Sequence, residues 1–397
     1  MTEPTTTVTA EVLTDPASVG LDPEKLDALR QRAQREIDEG LLPSCQLALA
    51  KDGELVLSET YGDAVPGSRY TIFSMTKGIV AGAVWLLVGE GKLRWDDRVS
   101  DLIPEFATNG KEAVTVEQVI THTGGFPQAP LPPLEGVTSE GRCARFARWR
   151  LSWDPGTRYE YHPTAAHWVL AELIERTSGA DYRTFVHDRI VSPLGMTTFG
   201  LGHPADAIAP GPDGGNELVS VGELPTPDEM EAAIGMRIEL ADFLGEVTTD
   251  ALLSFNRSDF KAVGVPGAGG IANAADIVRY YQGLLHNPGD LWNPDTLAAA
   301  TVPFVELPDP LMGVPAHRSQ GMVVAGDPPD STRRGYGHGQ GPRTFGHNGA
   351  GGQLAWADPD SGISFCYLTN GLDEHVIRQG RRGIGLNTRA AACATPS

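Results

Sequence analysis

Strand-like segments lie near both ends of this 397-residue chain, and helical segments separate them. Two short apolar runs, 46–50 and 54–58, flank Lys51-Asp52-Gly53 and therefore predict a β-hairpin. The carboxyl end carries three further strand-like runs, at 321–324, 352–357 and 363–369. Strands at both ends with helices between them favour a single antiparallel sheet assembled from the two ends of the chain.

The predicted fold class is α/β (α+β), with terminal helices flanking the sheet and a mostly helical domain inserted between its two halves. A flexible lead is expected over 1–20. The sheet domain is predicted over 21–95 and 262–397, and the helical domain over 96–261, where helical periodicities alternate with Pro/Gly-rich loops.

Charge and composition restrict the partners of the chain. The net charge of −20 would repel nucleic acid or an anionic membrane surface, so neither is expected as a partner.

The four cysteines are widely spaced and no histidine spacing matches a metal site, so no metal and no cofactor are expected. The polar segment 1–18 lacks an apolar stretch, and the longest apolar run, 79–88, is too short to span a bilayer. We therefore expect a cytoplasmic protein, and homo-oligomerisation stays open.

Ser74 and Lys77 stand three residues apart, where an extended apolar run gives way to a long apolar helix. On a helix this spacing places both side chains on one face. A serine hydroxyl becomes a good nucleophile only when a neighbouring group takes its proton, and a lysine can do so if burial lowers its pKa. The alternative is a serine that caps the helix and a lysine that faces solvent. A second Ser-x-x-Lys, Ser258–Lys261, precedes no apolar helix and is interpreted as accidental.

Further motifs follow in order along the chain. They are Phe73-Ser74-Met75-Thr76-Lys77, VITHTGGFP at 119–127, PGTRYEY at 155–161, SPLGM at 192–196, Gly269-Gly270-Ile271 before Asn273, and FGHNGAGG at 345–352. Together they resemble the motifs of serine β-lactamases, penicillin-binding proteins and β-lactamase-like (family VIII) esterases, over roughly residues 20–390. The resemblance is closest to the family VIII carboxylesterases.

The resemblance implies roles for three side chains. Ser74 would be the nucleophile, and Lys77 would accept its proton or supply a field beside it. Tyr161 would act as the acid or base that carries the proton to the leaving group. Tyr159, two residues earlier, is the competing tyrosine.

The third motif of the family lies on a strand that edges the active site, and here it corresponds to His347, Gly349 and Ala350. The resemblance implies that the backbone N–H groups of Ser74 and Ala350 form the oxyanion hole. It also implies that this strand edge binds the substrate.

Two positions depart from the members that process β-lactams. The second motif is often Tyr-x-Asn, but Tyr161-His162-Pro163 lacks that amide. The third motif is often Lys-Thr-Gly, and His347 replaces its fixed cation by a mostly neutral imidazole. Both changes favour small neutral esters over substrates that carry a carboxylate.

The sequence therefore predicts a serine hydrolase that works through an acyl-enzyme on a small-molecule ester or amide, with carboxylesterase activity favoured. The alternatives are a D-amino-peptidase or β-lactamase-type amidase, or an acyltransferase with the same Ser-Lys-Tyr residues. A non-catalytic binding protein is the remote alternative. The segments 128–145 and 205–260 match no motif and are expected to shape the pocket.

Overall fold

A computed structural model describes residues 13–202, 217–234 and 247–394. Within these ranges the fold is mixed α and β, and the predicted fold class is confirmed. The boundaries of the sheet domain (21–95 and 262–397) and of the helical domain (96–261) remain predictions from the sequence. Of the predicted lead, 13–20 contains the 3-10 turn Pro16–Val19, and the Thr14 N–H bonds to the Leu55 carbonyl.

The main sheet has six antiparallel strands in the order β2-β1-β10-β9-β8-β7. Its strands are β1 (Ser44–Lys51), β2 (Glu54–Gly62), β7 (Val323–Val324), β8 (Phe345–Gly346), β9 (Leu354–Asp358) and β10 (Ile363–Thr369). The amino-terminal β1 pairs with the carboxyl-terminal β10, with Cys45 opposite Thr369 and Lys51 opposite Ile363. The predicted assembly of one sheet from both ends of the chain is therefore confirmed.

Alternating side chains give this sheet two buried faces, as a period of two requires. On β1, Leu47 and Leu49 pack with helices α1 (Pro23–Asp38) and α14 (Val376–Ala391). Ala48 and Ala50 join the other core, which contains the apolar side chains of α2 (Met75–Gly89) and α11 (Ala274–His286).

Apart from α6, which has 14 residues, the remaining helices have eight residues or fewer, and most lie between α2 and α11 in the chain. They are α3 (Val99–Leu102), α4 (Val116–Ile120), α5 (Ser139–Phe146), α6 (Ala165–Ser178), α7 (Tyr182–Val186), α8 (Pro227–Ile234), α9 (Thr249–Leu253), α10 (Ser258–Val263), α12 (Pro294–Ala300) and α13 (Asp330–Arg333). α2 packs against α6, which joins the helical region to the sheet layers. No helix in the described ranges has the length and apolar character needed to cross a bilayer.

Two small sheets complete the structure. One pairs β3 (Tyr70–Thr71) and β4 (Gly200–Leu201) with the central β6 (Gly270–Ala272). The other pairs β5 (Val219–Val221) in parallel with β11 (Gly371–Asp373). β3 leads directly into Ser74, so its pairing with β6 fixes where α2 begins.

The strand predicted at 321–324 begins later than expected, at Val323. Gly321 adopts φ 123°, and a Cβ at this position would lie 2.4 Å from the Cβ of Ala81 on α2. The chain therefore turns tightly against α2 before the strand starts. The closing helix predicted at 374–386 is observed over Val376–Ala391.

A buried ion cluster joins α1, β11 and α14. The guanidinium of Arg382 donates to Glu36 Oε2 at 2.7 Å and to Asp373 Oδ2 at 2.5 Å. All three side chains are almost fully buried, and Arg32 also contacts Glu36. Removing Arg382 breaks two buried ion pairs at once and leaves Glu36 with Arg32 and Asp373 with Arg378.

Arg382→Leu is expected to lower the free energy of unfolding by about 3–5 kcal/mol, because Glu36 and Asp373 lose their shared cation. The measurement is urea unfolding followed by circular dichroism. The matched control is Arg343→Gln, which removes the exposed ion pair with Asp360 and should change the free energy by no more than about 1 kcal/mol. Equal losses in both variants would contradict a structural role for the cluster.

Candidate active site

Ser74 stands at the amino end of α2, in the N-cap position. The preceding Phe73 has a φ of 45°, a conformation that non-glycine residues adopt only when their surroundings enforce it. Thr76 provides that constraint, because its Oγ1 donates to the Phe73 carbonyl at 2.6 Å and accepts from the Gly270 N–H at 2.9 Å. The serine oxygen is thereby held where the helix dipole favours developing negative charge.

Lys77 is buried one turn further along α2, with only 1% of its surface exposed. Its Nζ lies 3.1 Å from Ser74 Oγ and donates to the Gly267 carbonyl at 2.6 Å. Burial lowers the pKa of this amine well below its usual value, and the positive charge of Arg318 lowers it further. Burial therefore favours the neutral amine, which can accept the Ser74 proton.

Tyr161 approaches Ser74 from the other side. Its hydroxyl donates to Ser74 Oγ at 3.0 Å, and Lys77 Nζ lies 5.1 Å from its ring centroid. Burial raises the pKa of the phenol above 10, although Arg318 and the bond to Ser74 oppose that rise. The phenol is therefore protonated at neutral pH and can donate to a leaving group.

Tyr159, the competing tyrosine, lines the same cavity but contacts Arg318 and not Ser74. Its hydroxyl accepts a hydrogen bond from Arg318 Nε at 2.9 Å, and the side chain is completely buried. Burial raises its pKa to about 12, against the opposing charge of Arg318. Of the two tyrosines, the structure brings Tyr161 to the serine and leaves Tyr159 behind Arg318.

His347 follows β8 at the edge of the main sheet. Its Nδ1 lies 2.8 Å from the Asn348 carbonyl, and its Nε2 lies 3.1 Å from Arg318 Nη1. Because a guanidinium can only donate, Nε2 is the acceptor and the ring proton resides on Nδ1. Burial lowers the pKa of His347 well below its usual value, with Arg318 and Lys77 adding to the effect, so the ring is neutral.

Gly349 and Ala350 continue from that edge. The Gly349 N–H donates to the Gln353 carbonyl at 3.0 Å, and a Cβ at Gly349 would lie 2.4 Å from the Ile72 carbonyl oxygen. Gly349 thus allows the sheet edge to approach the strand that leads to Ser74. Ala350 lines the same cavity as Ser74, which is compatible with its predicted place in the oxyanion hole.

A cavity of about 300 Å³ opens in front of Ser74. Its other lining residues are Tyr159, Tyr161, Pro163, Val247, Asp309, Leu311, Met312, Arg318, Val323, Arg333, Arg334, Gly335, Tyr336, Gly346, His347, Asn348 and Ala350. A larger cavity of about 590 Å³ lies elsewhere, and none of the predicted site residues lines it.

The segments expected to shape the pocket differ in their placement. Residues of 128–145 line a separate depression beside Trp149 and not the cavity at Ser74, so that expectation is wrong. From 205–260, Val247 does line the cavity. The parts 205–216 and 235–246 lie outside the described residues.

Arg318 is the site residue that the sequence analysis missed. It lies in the long connection between α12 and β7, where no motif marks it. Its guanidinium contacts Tyr159 and His347 and lies 5.1 Å from the Tyr161 ring centroid. Only the fold brings it there, because these partners are far away in sequence.

Three buried histidines form a layer behind Tyr161. His122 Nδ1 accepts from the backbone N–H of His162 at 3.2 Å, and its ring lies 4.9 Å from that of Tyr161. His167 lies 6.0 Å from His122, and its pKa, like that of His122, is far below the usual value because of burial. No group of residues that could hold a metal ion occurs in the part of the chain that the structure describes.

The geometry predicts that a fluorophosphonate probe labels Ser74 at neutral pH, because neutral Lys77 can take the proton from its hydroxyl. Ser74→Ala should abolish labelling, and Lys77→Met should slow it by at least about 10². Tryptic mass spectrometry locates the adduct. The matched control is Ser258→Ala, since Ser258 is exposed at the start of α10 and belongs to the second Ser-x-x-Lys. Labelling that persists in Ser74→Ala would contradict the assignment.

Comparison with known proteins adds evidence on the whole chain. The Beta-lactamase family model matches residues 29–388. A putative D-alanyl-D-alanine carboxypeptidase of Escherichia coli K12 is 25% identical, over 90% of this chain and 86% of its own length. The esterase/beta-lactamase LipL of Mycobacterium tuberculosis is 27% identical, over 85% of this chain and 79% of its own.

The solved structures include a penicillin-binding-protein homologue from Caulobacter crescentus. It superimposes with a TM-score of 0.76 at 26% identity, over 94% of this chain and 99% of the homologue. The family match covers nearly the whole chain and includes Ser74, Lys77, Tyr161 and the third motif. The chain therefore belongs to the beta-lactamase family and is a serine hydrolase.

Proposed function

We propose that this hydrolase is a carboxylesterase, that it acts on small neutral esters, and that Ser74 carries the acyl group. One observation supports the proposal most strongly: Ser74 Oγ lies within 3.1 Å of both Lys77 Nζ and the Tyr161 hydroxyl, at the wall of the cavity. A nucleophile with a base and an acid in contact can carry out acyl transfer in two steps.

In the first step Ser74 Oγ attacks the ester carbonyl and its proton passes to Lys77 Nζ. The N–H groups of Ser74 and Ala350 would bind the oxyanion. The alcohol leaves with the Tyr161 phenol proton, and Lys77 then returns its proton to the Tyr161 oxygen. In the second step water repeats this sequence, the acid is released and the Ser74 hydroxyl is restored.

The second motif supports an ester over an acylamino substrate. Pro163 occupies the place of the family's asparagine and lines the cavity without a side-chain hydrogen-bond donor. The neighbouring His162 ring is turned away, because its Nε2 accepts from the Phe126 N–H at 3.1 Å. Burial lowers the pKa of His162 to about 4, so the ring is neutral at pH 7.

The apolar part of the cavity lining supports an uncharged substrate group. Leu311, Met312 and Val323 contribute apolar side chains to this lining. Such a wall binds alkyl groups through burial of apolar surface, at about 25 cal/mol per Å². The name of LipL, an esterase/beta-lactamase, agrees with ester hydrolysis, and the carboxypeptidase-named relative keeps amide hydrolysis as the second candidate.

The substrate class can be tested with three donors offered at equal concentration: p-nitrophenyl butyrate, nitrocefin and D-alanyl-p-nitroanilide. We expect the ester to have the highest kcat/KM, because Pro163 has no amide and the amide of the cavity residue Asn348 is bonded to Gly335 and Ala355. Intact-mass spectrometry of quenched mixtures should show a butyryl adduct on Ser74. A higher kcat/KM for the anilide or for nitrocefin would overturn the ester proposal. Product analysis with an added alcohol would reveal acyl transfer.

The roles of the two tyrosines can be separated by removing one hydroxyl at a time. Tyr161→Phe should lower kcat for the ester by about 10²–10⁴, because the leaving alcohol loses its proton donor. Tyr159→Phe should lower it by less than about tenfold, because the Tyr159 hydroxyl contacts Arg318 and not Ser74. Steady-state kinetics with p-nitrophenyl butyrate measure both. Similar losses in the two variants would contradict the assignment of Tyr161.

A further inference from the structure

Arg318 places a guanidinium inside the active site from a connection that carries no motif. Its Nε donates to the Tyr159 hydroxyl at 2.9 Å, and its Nη1 donates to His347 Nε2 at 3.1 Å. Its Cζ lies 5.1 Å from the ring centroid of Tyr161. The residue is partly exposed, and it lines the cavity together with Ser74.

The neighbours of this cation differ from those of the other buried arginines. Arg142 contacts two glutamates and Arg382 contacts Glu36 and Asp373, so carboxylates offset the charge of each. Arg318 makes no carboxylate ion pair within the described ranges. Asp309, at the cavity wall, is the one carboxylate found to influence it, and only through space.

The two direct partners of the guanidinium are uncharged. Tyr159 is a buried phenol and His347 is a neutral imidazole, so neither offsets the positive charge. A charge that is not neutralised acts strongly across a poorly solvated site. Of the residues that contact Ser74, this charge lowers the pKa of both Tyr161 and Lys77.

We propose that Arg318 is a positioning residue that supplies this site's fixed positive charge, favouring a neutral Lys77 and a Tyr161 oxygen that can carry negative charge. The inference rests on the proposed function, because it concerns the same acyl transfer. When Tyr161 has given its proton to the leaving alcohol, its oxygen is negative until Lys77 returns a proton. Arg318 stabilises that state, and it fixes His347 with Nε2 as the acceptor.

The charged and titratable groups around this pair are the ones already described. Lys77 is surrounded by Tyr161, Arg318 and the neutral histidines 122, 167 and 347. Tyr161 faces Lys77, Arg318, His122, His347 and Tyr159. Arg333 and Arg334 also line the cavity, and neither shifts the pKa of Lys77 or of Tyr161. Burial is the larger effect on the pKa of both Lys77 and Tyr161, and Arg318 is the cation that lowers both.

The sign of the expected pH effect follows from the two roles. Lys77 must be unprotonated to act as base, so its pKa sets the acidic limb of the rate profile. Tyr161 must be protonated to act as acid, so its pKa sets the alkaline limb. Removing the charge of Arg318 raises both pKa values, and both limbs should therefore move to higher pH.

The test compares Arg318→Gln, Arg318→Lys and Arg343→Gln, with kcat and KM for p-nitrophenyl butyrate measured between pH 5 and 10. For Arg318→Gln we expect kcat at pH 7 to fall by about tenfold to hundredfold, with the profile displaced upward by about one pH unit. Arg318→Lys retains the positive charge but lacks the planar guanidinium that bonds both Tyr159 and His347. Its pH profile should therefore keep the wild-type position while kcat is reduced. Arg343→Gln removes an exposed charge and should match wild type.

Three results would overturn the inference. The first is an unchanged kcat and profile in Arg318→Gln. The second is a uniform loss at every pH, which would indicate a purely structural role. The third is a loss confined to an anionic ester such as p-nitrophenyl hemisuccinate, which would make Arg318 a ligand for the substrate. If Arg318→Gln does not fold, Arg318→Lys decides the matter. A pH profile of kcat displaced from that of wild type would overturn the inference, and an undisplaced profile would support it.

The same variants can be tested without assuming any substrate. The rate at which a fluorophosphonate labels Ser74 should show the same displacement of its acidic limb, because that limb reports Lys77. Wild-type protein that labels at Ser74 but does not hydrolyse the ester would contradict the proposed function alone. An acidic labelling limb that stays in place in Arg318→Gln would contradict the role of Arg318 alone.

Discussion

The buried amine of Lys77 is the interaction on which the rest of the site depends. An ammonium ion in this position would lose most of its hydration, and two neighbouring oxygens replace little of it. The neutral form is therefore favoured, and a neutral amine can take the proton from Ser74. The Gly267 carbonyl fixes the direction of Nζ, and the other hydrogen-bond partner of the amine is the nucleophile itself.

The surrounding fold serves to hold this amine and its two partners in place. α2 is buried along nearly its whole length and packs against α6, α7 and α12, so its amino end cannot shift without disturbing the core. The pairing of β3 with β6 holds the residues immediately before Ser74. The close approach of Gly349 to the Ile72 carbonyl brings the main sheet to the same point. The helix α2, the β3–β6 pair and the main sheet therefore all meet at Ser74 Oγ.

Burial shifts the pKa values of neighbouring groups in opposite directions, so these groups act differently in catalysis. Burial lowers the pKa of Lys77 and raises that of Tyr161, so at neutral pH the site contains a base and an acid side by side. The histidines behind Tyr161 are neutral for the same reason, so they contribute packing without charge, and His122 and His162 also accept hydrogen bonds. Arg318 is the cation that this arrangement leaves beside Tyr161 and His347.

The sequence by itself determined the pairing of the chain ends in one sheet and the Ser74–Lys77 pair on one helix face. These features follow from local periodicity and from a spacing of three residues, which a linear sequence displays directly. It could not choose between Tyr161 and Tyr159 by spacing, since two residues on a loop have no fixed relation to a distant helix. It could not find Arg318, because the contacts with Tyr159 and His347 span 159 and 29 positions and exist only after folding. The same reason applies to the segment 128–145, whose packing beside Trp149 depends on the assembled helical layer.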